Sequence, residues 1–116
     1  MTAVLLVEDE PAIMRMLALI LEDMGYDVYQ ARNAERAIDL LKEVPTDLVL
    51  ADVRLPGMSG VELAKRIREQ ERFSDIAIVL MSAYGEPRQH NADGFIEKPF
   101  YIDDFIERLN PYLTRD

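Results

Sequence analysis

Apolar and polar positions fall into blocks along this chain, and the blocks alternate between two periods. Ala3 to Val7 is a continuous apolar run, the pattern of a strand covered on both faces in a parallel sheet. Glu8-Asp9-Glu10 follows, and Pro11 suits the first turn of a helix, where its missing N–H costs nothing. Ile13, Leu17, Ile20, Leu21 and Met24 then recur at helical spacing, and Gly25 fits a C-terminal stop. Asp27 to Ala31 alternates weakly and predicts a second strand. Asn33 caps a helix whose inner face is Ala34, Ala37, Ile38 and Leu41. A Pro45-Thr46-Asp47 turn leads into a third strand, Leu48 to Ala51.

Asp52 stands where that third run ends, and Pro56, Gly57 and Gly60 break the chain beyond it. Ser59 caps a helix predicted through about Arg72, with Glu62 completing a capping box and Leu63, Ala64 and Ile67 as its stripe. Ile76 to Met81 predicts a fourth strand and Gly94 to Glu97 a short fifth. The last helix shows Ile102, Phe105, Ile106, Leu109 and Leu113 on one face, with Pro111 expected to kink or loosen its final turn. Between strands four and five, Ala83 to Asp93 is polar, holds Gly85 and Pro87, and has no apolar stripe. The crossover helix there, helix 4 of such an arrangement, is therefore expected to be absent or reduced to a turn.

Strand–helix alternation with right-handed crossovers gives one α/β domain over residues 1–116, a doubly wound five-stranded parallel sheet with helices on both faces. All strands then point one way. Glu8 and Asp9, Asp52, Ser82 and Lys98 converge on one sheet edge, where open α/β sheets keep their sites. Three clustered carboxylates repel one another unless a cation or a bound proton offsets them. With oxygen donors alone, the expected cation is hard, and magnesium is favoured because it needs only one or two carboxylates. A carboxylate nucleophile, a metal and an ammonium are the apparatus of phosphoryl transfer.

Composition narrows the partners. The 116 residues carry a formal net charge of -9, which argues against direct nucleic-acid binding. There is no cysteine, so disulfides and thiolate metal sites are excluded, which fits a reducing, cytoplasmic setting. The N-terminus has no basic region ahead of its apolar run and does not read as a signal peptide, and no run is long enough for a bilayer. The single histidine, His90, lies in the polar segment and reads as solvated.

Four blocks together carry a resemblance: Val-Glu-Asp-Glu at 7–10, Ala-Asp-Val-Arg-Leu-Pro-Gly-Met-Ser-Gly at 51–60, Met-Ser-Ala at 81–83 and Lys-Pro-Phe at 98–100. In this order they resemble a response-regulator receiver domain, the phosphoacceptor of two-component signalling. The resemblance implies a flavodoxin-like strand order 2-1-3-4-5. It implies that Asp52 accepts a phosphoryl group from a phosphohistidine on a sensor histidine kinase or histidine phosphotransfer protein, for onward signalling to a downstream protein. Asp9 and Asp52 with the Arg54 backbone carbonyl would hold Mg2+, and Glu8, where the family often has Asp, would help through water. Ser82 and Lys98 would contact the phosphoryl group, the Lys98–Pro99 bond would be cis, and Phe95 would be the switch aromatic. The domain would be a signalling switch whose only chemistry is its own phosphorylation and dephosphorylation. It would be a stand-alone receiver or a piece of a hybrid kinase or larger regulator.

Ordinary structural readings stand beside these. Asp9 or Glu10 alone would be a helix cap, Lys98 a solvated lysine, Ser82 a turn residue and Phe95 core. Met14 and Met16 are either core filler or part of a docking patch. Arg54 and Tyr84 should flank the pocket and gate attacking water. The alternatives to a phosphorylated switch are a pseudo-receiver, an aspartyl-phosphate phosphatase and a flavin protein. The phosphatase would want an acid at Arg54, and the flavin protein a Gly/Ser/Thr-rich loop where Glu8-Asp9-Glu10 stands.

Overall fold

The computed structural model describes residues 2–113. Five parallel strands lie in the order β2-β1-β3-β4-β5: β1 Ala3–Val7, β2 Asp27–Ala31, β3 Leu48–Asp52, β4 Ala77–Ser82 and β5 Gly94–Glu97. Four helices accompany them: α1 Pro11–Asp23, α2 Ala34–Glu43, α3 Gly60–Arg68 and α4 Ile102–Leu113. The fourth helix is the C-terminal one. The crossover from β4 to β5 carries no helix, and the chain there is bends and irregular backbone.

The strand periodicity of two divides the core into two layers. Leu5, Val7, Val49, Ala51, Ile78 and Leu80 face one side and pack against Ala34, Ala37 and Leu41 of α2 and Leu63, Ala64 and Ile67 of α3. Val4, Leu6, Leu48, Leu50, Val79 and Met81 face the other, against Met14, Leu17 and Leu21 of α1 and Phe105, Leu109 and Leu113 of α4. β1, β3 and β4 are thus covered on both faces, which is why they read as unbroken apolar runs. At roughly 1.5–3 kcal/mol per buried large side chain, this double burial outweighs the weak helix propensities of the crossovers.

Local chemistry sets most element ends. Asn33 Oδ1 accepts the Arg36 N–H at 2.7 Å and Ser59 Oγ accepts the Glu62 N–H at 3.1 Å, capping α2 and α3. Glu62, expected to reach back in a capping box, instead pairs with Arg66 one turn on. α3 ends at Arg68 rather than about Arg72, and a 3-10 turn at Glu71–Phe73 follows. No apolar residue lies between Ile67 and Phe73 to hold a helix down, and buried Phe73 anchors the turn instead. α4 runs through Pro111 to buried Leu113, whose carbonyl accepts the Thr2 hydroxyl at 3.1 Å.

Candidate functional site

Parallel pairing brings the C-terminal strand ends together in register: Val7 beside Ala51, Asp52 beside Met81, Ser82 beside Glu97. Two backbone bonds prolong the ladder past the strands, Val53 N–H to Met81 O at 2.8 Å and Lys98 N–H to Ser82 O at 2.9 Å. The side chains on this edge are therefore set by the sheet rather than by flexible loops.

Lys98 is the centre of the site. Its ammonium donates to Asp52 Oδ2 at 2.7 Å and to Glu8 Oε1 at 3.0 Å. The three side chains are almost withdrawn from water, with 14 % of Lys98, 13 % of Asp52 and 1 % of Glu8 exposed. Asp52 Oδ1 accepts the Arg54 N–H at 3.1 Å, and Glu8 Oε2 accepts the Glu10 N–H at 3.2 Å. Burial alone would depress the Lys98 pKa, but its hydrogen bonds to Asp52 and Glu8 outweigh that and raise it. Burial pushes the Glu8 carboxyl above its usual range; Lys98 pulls it down only in part, and the charge of Asp52 adds to the rise. One ammonium is thus shared by two carboxylates.

The other sequence-predicted residues are placed as follows. Ser82 is buried, and its Oγ accepts the Tyr84 N–H at 3.0 Å. The Arg54 guanidinium lies over the Tyr84 ring, 4.5 Å from its centroid, so the loops after β3 and β4 meet at the rim. The Lys98–Pro99 bond is cis. Phe95 is half-buried and packs on the α2/α3 side of the sheet, the side the β4–β5 crossover passes. Asp9 is exposed and lines a recess of about 170 Å³ with Glu8, Arg15, Gln30 and Arg32, on the β2 side of the Lys98 cluster. Met14 is core, whereas Met16 is 43 % exposed beside Ile13, Ala83, Pro99 and Phe100. His90, read as solvated, is largely enclosed: Nε2 pairs with Glu86 Oε2 at 2.8 Å and Nδ1 accepts the Ala92 N–H.

Sequence reasoning gave Glu8 only a water-mediated part, yet it is the buried carboxylate that Lys98 holds directly. Its place one residue after a five-residue apolar run was the available signal. From the sequence, Gly60 is only a chain breaker after Asp52. A Cβ there would lie 2.3 Å from the Asp52 carbonyl oxygen, so Gly60 lets α3 start against the backbone of the site.

Carboxylates of Glu8, Asp9 and Asp52 on one edge suit a hard cation in donor type. Among the described residues no three metal-ligating side chains form a ready cage. Magnesium takes one or two carboxylates and keeps several waters, and these carboxylates match that demand in donor type. A cation would also offset the charge that Lys98 alone now shares between Glu8 and Asp52.

The family model for the response regulator receiver domain matches residues 4–110. The chain belongs to this family. The phosphate regulon transcriptional regulatory protein PhoB of Pseudomonas aeruginosa is 37% identical over 118 residues, covering 97% of this chain and 52% of PhoB. This chain therefore spans about half the length of that relative. The polar-differentiation response regulator DivK of Brucella anthropi is 31% identical, covering 96% of this chain and 95% of DivK. Among solved structures, the response regulator TrrA of Thermotoga maritima, in complex with Mg2+–BeF, is 34% identical with a TM-score of 0.88, covering 97% of this chain and all of TrrA. TrrA has also been solved in complex with the histidine kinase ThkA. This chain is thus a receiver domain of the two-component response-regulator type, a signalling domain rather than a metabolic enzyme. Among its described residues no helix is long and apolar enough to cross a membrane.

Proposed function

We propose that this receiver is a phosphorylation-dependent switch and that Asp52 is its phosphoacceptor. The observation that carries the reading is the Asp52 carboxylate at the mouth of the sheet, oriented by Lys98 on one oxygen and the Arg54 N–H on the other. In the reaction a carboxylate oxygen of Asp52 attacks phosphorus, the bond from phosphorus to the donor's imidazole nitrogen breaks, and an acyl phosphate forms. Lys98, already ionised and almost dehydrated, offers its charge to the phosphoryl oxygens without prior reorganisation. Ser82 can turn its hydroxyl to the same group, leaving the Tyr84 N–H it now serves. Asp9 and Asp52 with the Arg54 carbonyl, assisted by Glu8 through water, would hold Mg2+, which when bound offsets the charge of the carboxylates and the phosphoryl group. TrrA, complexed both with Mg2+–BeF and with a histidine kinase, supports a phosphohistidine donor and a kinase or phosphotransfer partner.

The phosphoryl group adds up to about two negative charges beside Arg54, Ser82 and Lys98. Differential contacts of these groups with the two states shift the balance of surface conformations that a downstream protein reads. The helix-free crossover favours one other reading, a pseudo-receiver that never takes phosphate.

The two readings separate in one experiment. The protein is incubated with magnesium and a small acyl-phosphate donor, and intact mass is recorded for wild type and Asp52→Asn. A phosphoryl adduct on wild type alone is expected. No adduct on wild type, or an equal one on the variant, overturns the assignment.

A further inference from the structure

The β4–β5 crossover raises a mechanical question. β5 has four residues, pairs among the described residues only with β4, and has no preceding helix packed down to hold it, yet it delivers Lys98 to Asp52. Its far end is held by the site itself, through the Lys98 N–H on Ser82 O and the Lys98 ammonium on Asp52 and Glu8. Its near end is held by a second charge cluster, five residues before Lys98 and so about 16 Å away at roughly 3.3 Å per strand residue.

That cluster is built on Asp93, the residue before β5. The Asp93 N–H donates to Ile78 O at 2.7 Å, and one carboxylate oxygen accepts the Ile78 N–H at 2.7 Å, so the side chain continues the ladder to β4. The Arg68 guanidinium, at the last residue of α3, pairs with the same carboxylate. Arg68 also donates to Ile76 O at 2.8 Å, ahead of β4, and to Asn91 O at 3.3 Å, in the crossover. On the opposite side the Tyr112 hydroxyl of α4 donates to Asp93 O at 3.0 Å. Gly94 makes room for it, because a Cβ there would fall 2.5 Å from that oxygen. α3, β4, α4 and the crossover thus all meet the start of β5 at Asp93.

The geometry points to Arg68 and Asp93 as positioning residues for the phosphoryl-transfer site: their clasp takes over the anchoring of a crossover helix, fixes the register of β5 on β4, and so fixes the reach of Lys98 to Asp52. A planar guanidinium suits this role, since its three nitrogens reach three acceptors at once, the Asp93 carboxylate and the Ile76 and Asn91 carbonyls, and so set direction as well as distance. A slip of β5 by one residue would turn Lys98 to the other face. Smaller displacements, of the order of 1 Å, already matter at such sites. The effect on phosphoryl uptake rests on the Asp52 phosphoacceptor reading; the effect on Lys98 does not.

Two readouts on the full chain test this. The first is amide hydrogen exchange at Lys98 relative to β1, without any phosphoryl donor. The second is the rate of uptake from a small acyl phosphate, in the wild-type and Lys98→Ala backgrounds. Arg68→Ala and Asp93→Asn should speed Lys98 exchange at least about tenfold with β1 unchanged, and slow uptake by about tenfold. Arg68→Lys should fall between these and wild type, and it carries the test if Arg68→Ala does not fold. In the Lys98→Ala background Arg68→Ala should change uptake by less than about twofold, because its route to Asp52 is gone. Asn33→Ala, which weakens the distant α2 cap, should leave Lys98 exchange unaltered relative to β1. Equal losses of uptake in both backgrounds, Lys98 exchange no faster than wild type, or the same Lys98 response to Asn33→Ala would each overturn the clasp. Wild type that takes no phosphoryl group refutes the phosphoacceptor reading alone, and the exchange measurement still decides for the clasp.

Discussion

Replacing Gly60 with alanine puts the coupling of backbone and site to a direct test. Gly60 is the first residue of α3, and its N–H bonds Val53 O at 2.9 Å. In an unobstructed helix Gly→Ala adds roughly 0.5–1 kcal/mol of stability. Here the new Cβ would meet Asp52 O at 2.3 Å, and Asp52 C and Val53 Cα at 3.0 Å. All three are backbone atoms and none can rotate away. Ordinary contact begins near 3.4 Å, so the Asp52 carbonyl or the start of α3 must retreat by about 1.1 Å. Overpacking of this kind typically costs about 1–3 kcal/mol, which exceeds the helix gain, and the expected net is a loss of about 1–2 kcal/mol. With a urea slope of about 1–3 kcal/mol/M, the midpoint should fall by roughly 0.3–2 M. The same shift moves the Asp52 carboxylate away from Lys98 and the Arg54 N–H, so phosphoryl uptake should slow by up to about 10²-fold in protein that is still folded. Urea melts and acyl-phosphate uptake on one preparation read both effects. A midpoint equal to or above wild type would refute the packing argument, whatever the uptake rate.

Two further outcomes follow from contacts around Lys98. The Arg54–Tyr84 contact at the rim, worth about 0.5–1 kcal/mol for a pair this exposed, should restrain water. Arg54→Ala and Tyr84→Ala should each shorten acyl-phosphate lifetime by about two- to fivefold with little change in uptake, and the double variant should be no worse than either single one. Lifetimes equal to wild type would remove the gating role. Glu8 gives a pH test, because a carboxyl whose pKa is raised by folding costs stability wherever the unfolded chain would already be ionised. Below the ordinary value of 4.5 both states are protonated and there is no cost; the cost grows as pH rises toward the folded pKa and is complete above it. Glu8→Gln, melted in chelator from about pH 4 to about pH 8, should therefore gain on wild type as pH rises. Lys98 acts oppositely: its raised pKa stabilises the fold below 10.5, and that contribution disappears as pH passes through the folded value. A Glu8→Gln difference that is flat with pH, or shrinks, would show that Lys98 fully offsets the burial of Glu8.

What could be read from the sequence was whatever depends on neighbours in the chain. Three of the strands, β1, β3 and β4, showed as apolar runs because each is buried on both faces, and the caps at Asn33 and Ser59 showed because a cap needs only its own first turn. The convergence of Glu8, Asp52, Ser82 and Lys98 was legible for a related reason: in a parallel sheet the residue after each strand is sent to a common edge by topology alone. Contacts made across long separations left no such trace. The place of Glu8 directly after β1 sets it apart from Asp9, but nothing local shows that Lys98, ninety residues on, holds it. Nothing local distinguishes Arg68 and Asp93 from other surface charges, since their pairing exists only once α3 and β5 are folded beside each other. The crossover joins the two cases. Gly85, Pro87 and the missing apolar stripe foretold its lack of a helix, but not what would hold β5 instead. An 11-residue coil has no apolar face with which to grip the sheet, so its anchoring falls to polar contacts at its ends: Ser82 and Tyr84 beside the site, Arg68 and Asp93 at the start of β5. On the proposed mechanism, phosphorylation of Asp52 would draw on the first of these anchors, because the Ser82 hydroxyl that holds the Tyr84 N–H is also the group proposed to turn toward the phosphoryl oxygens. On the same reading, the second anchor, about 16 Å from Lys98 along β5, would keep β5 in place while the first lets go.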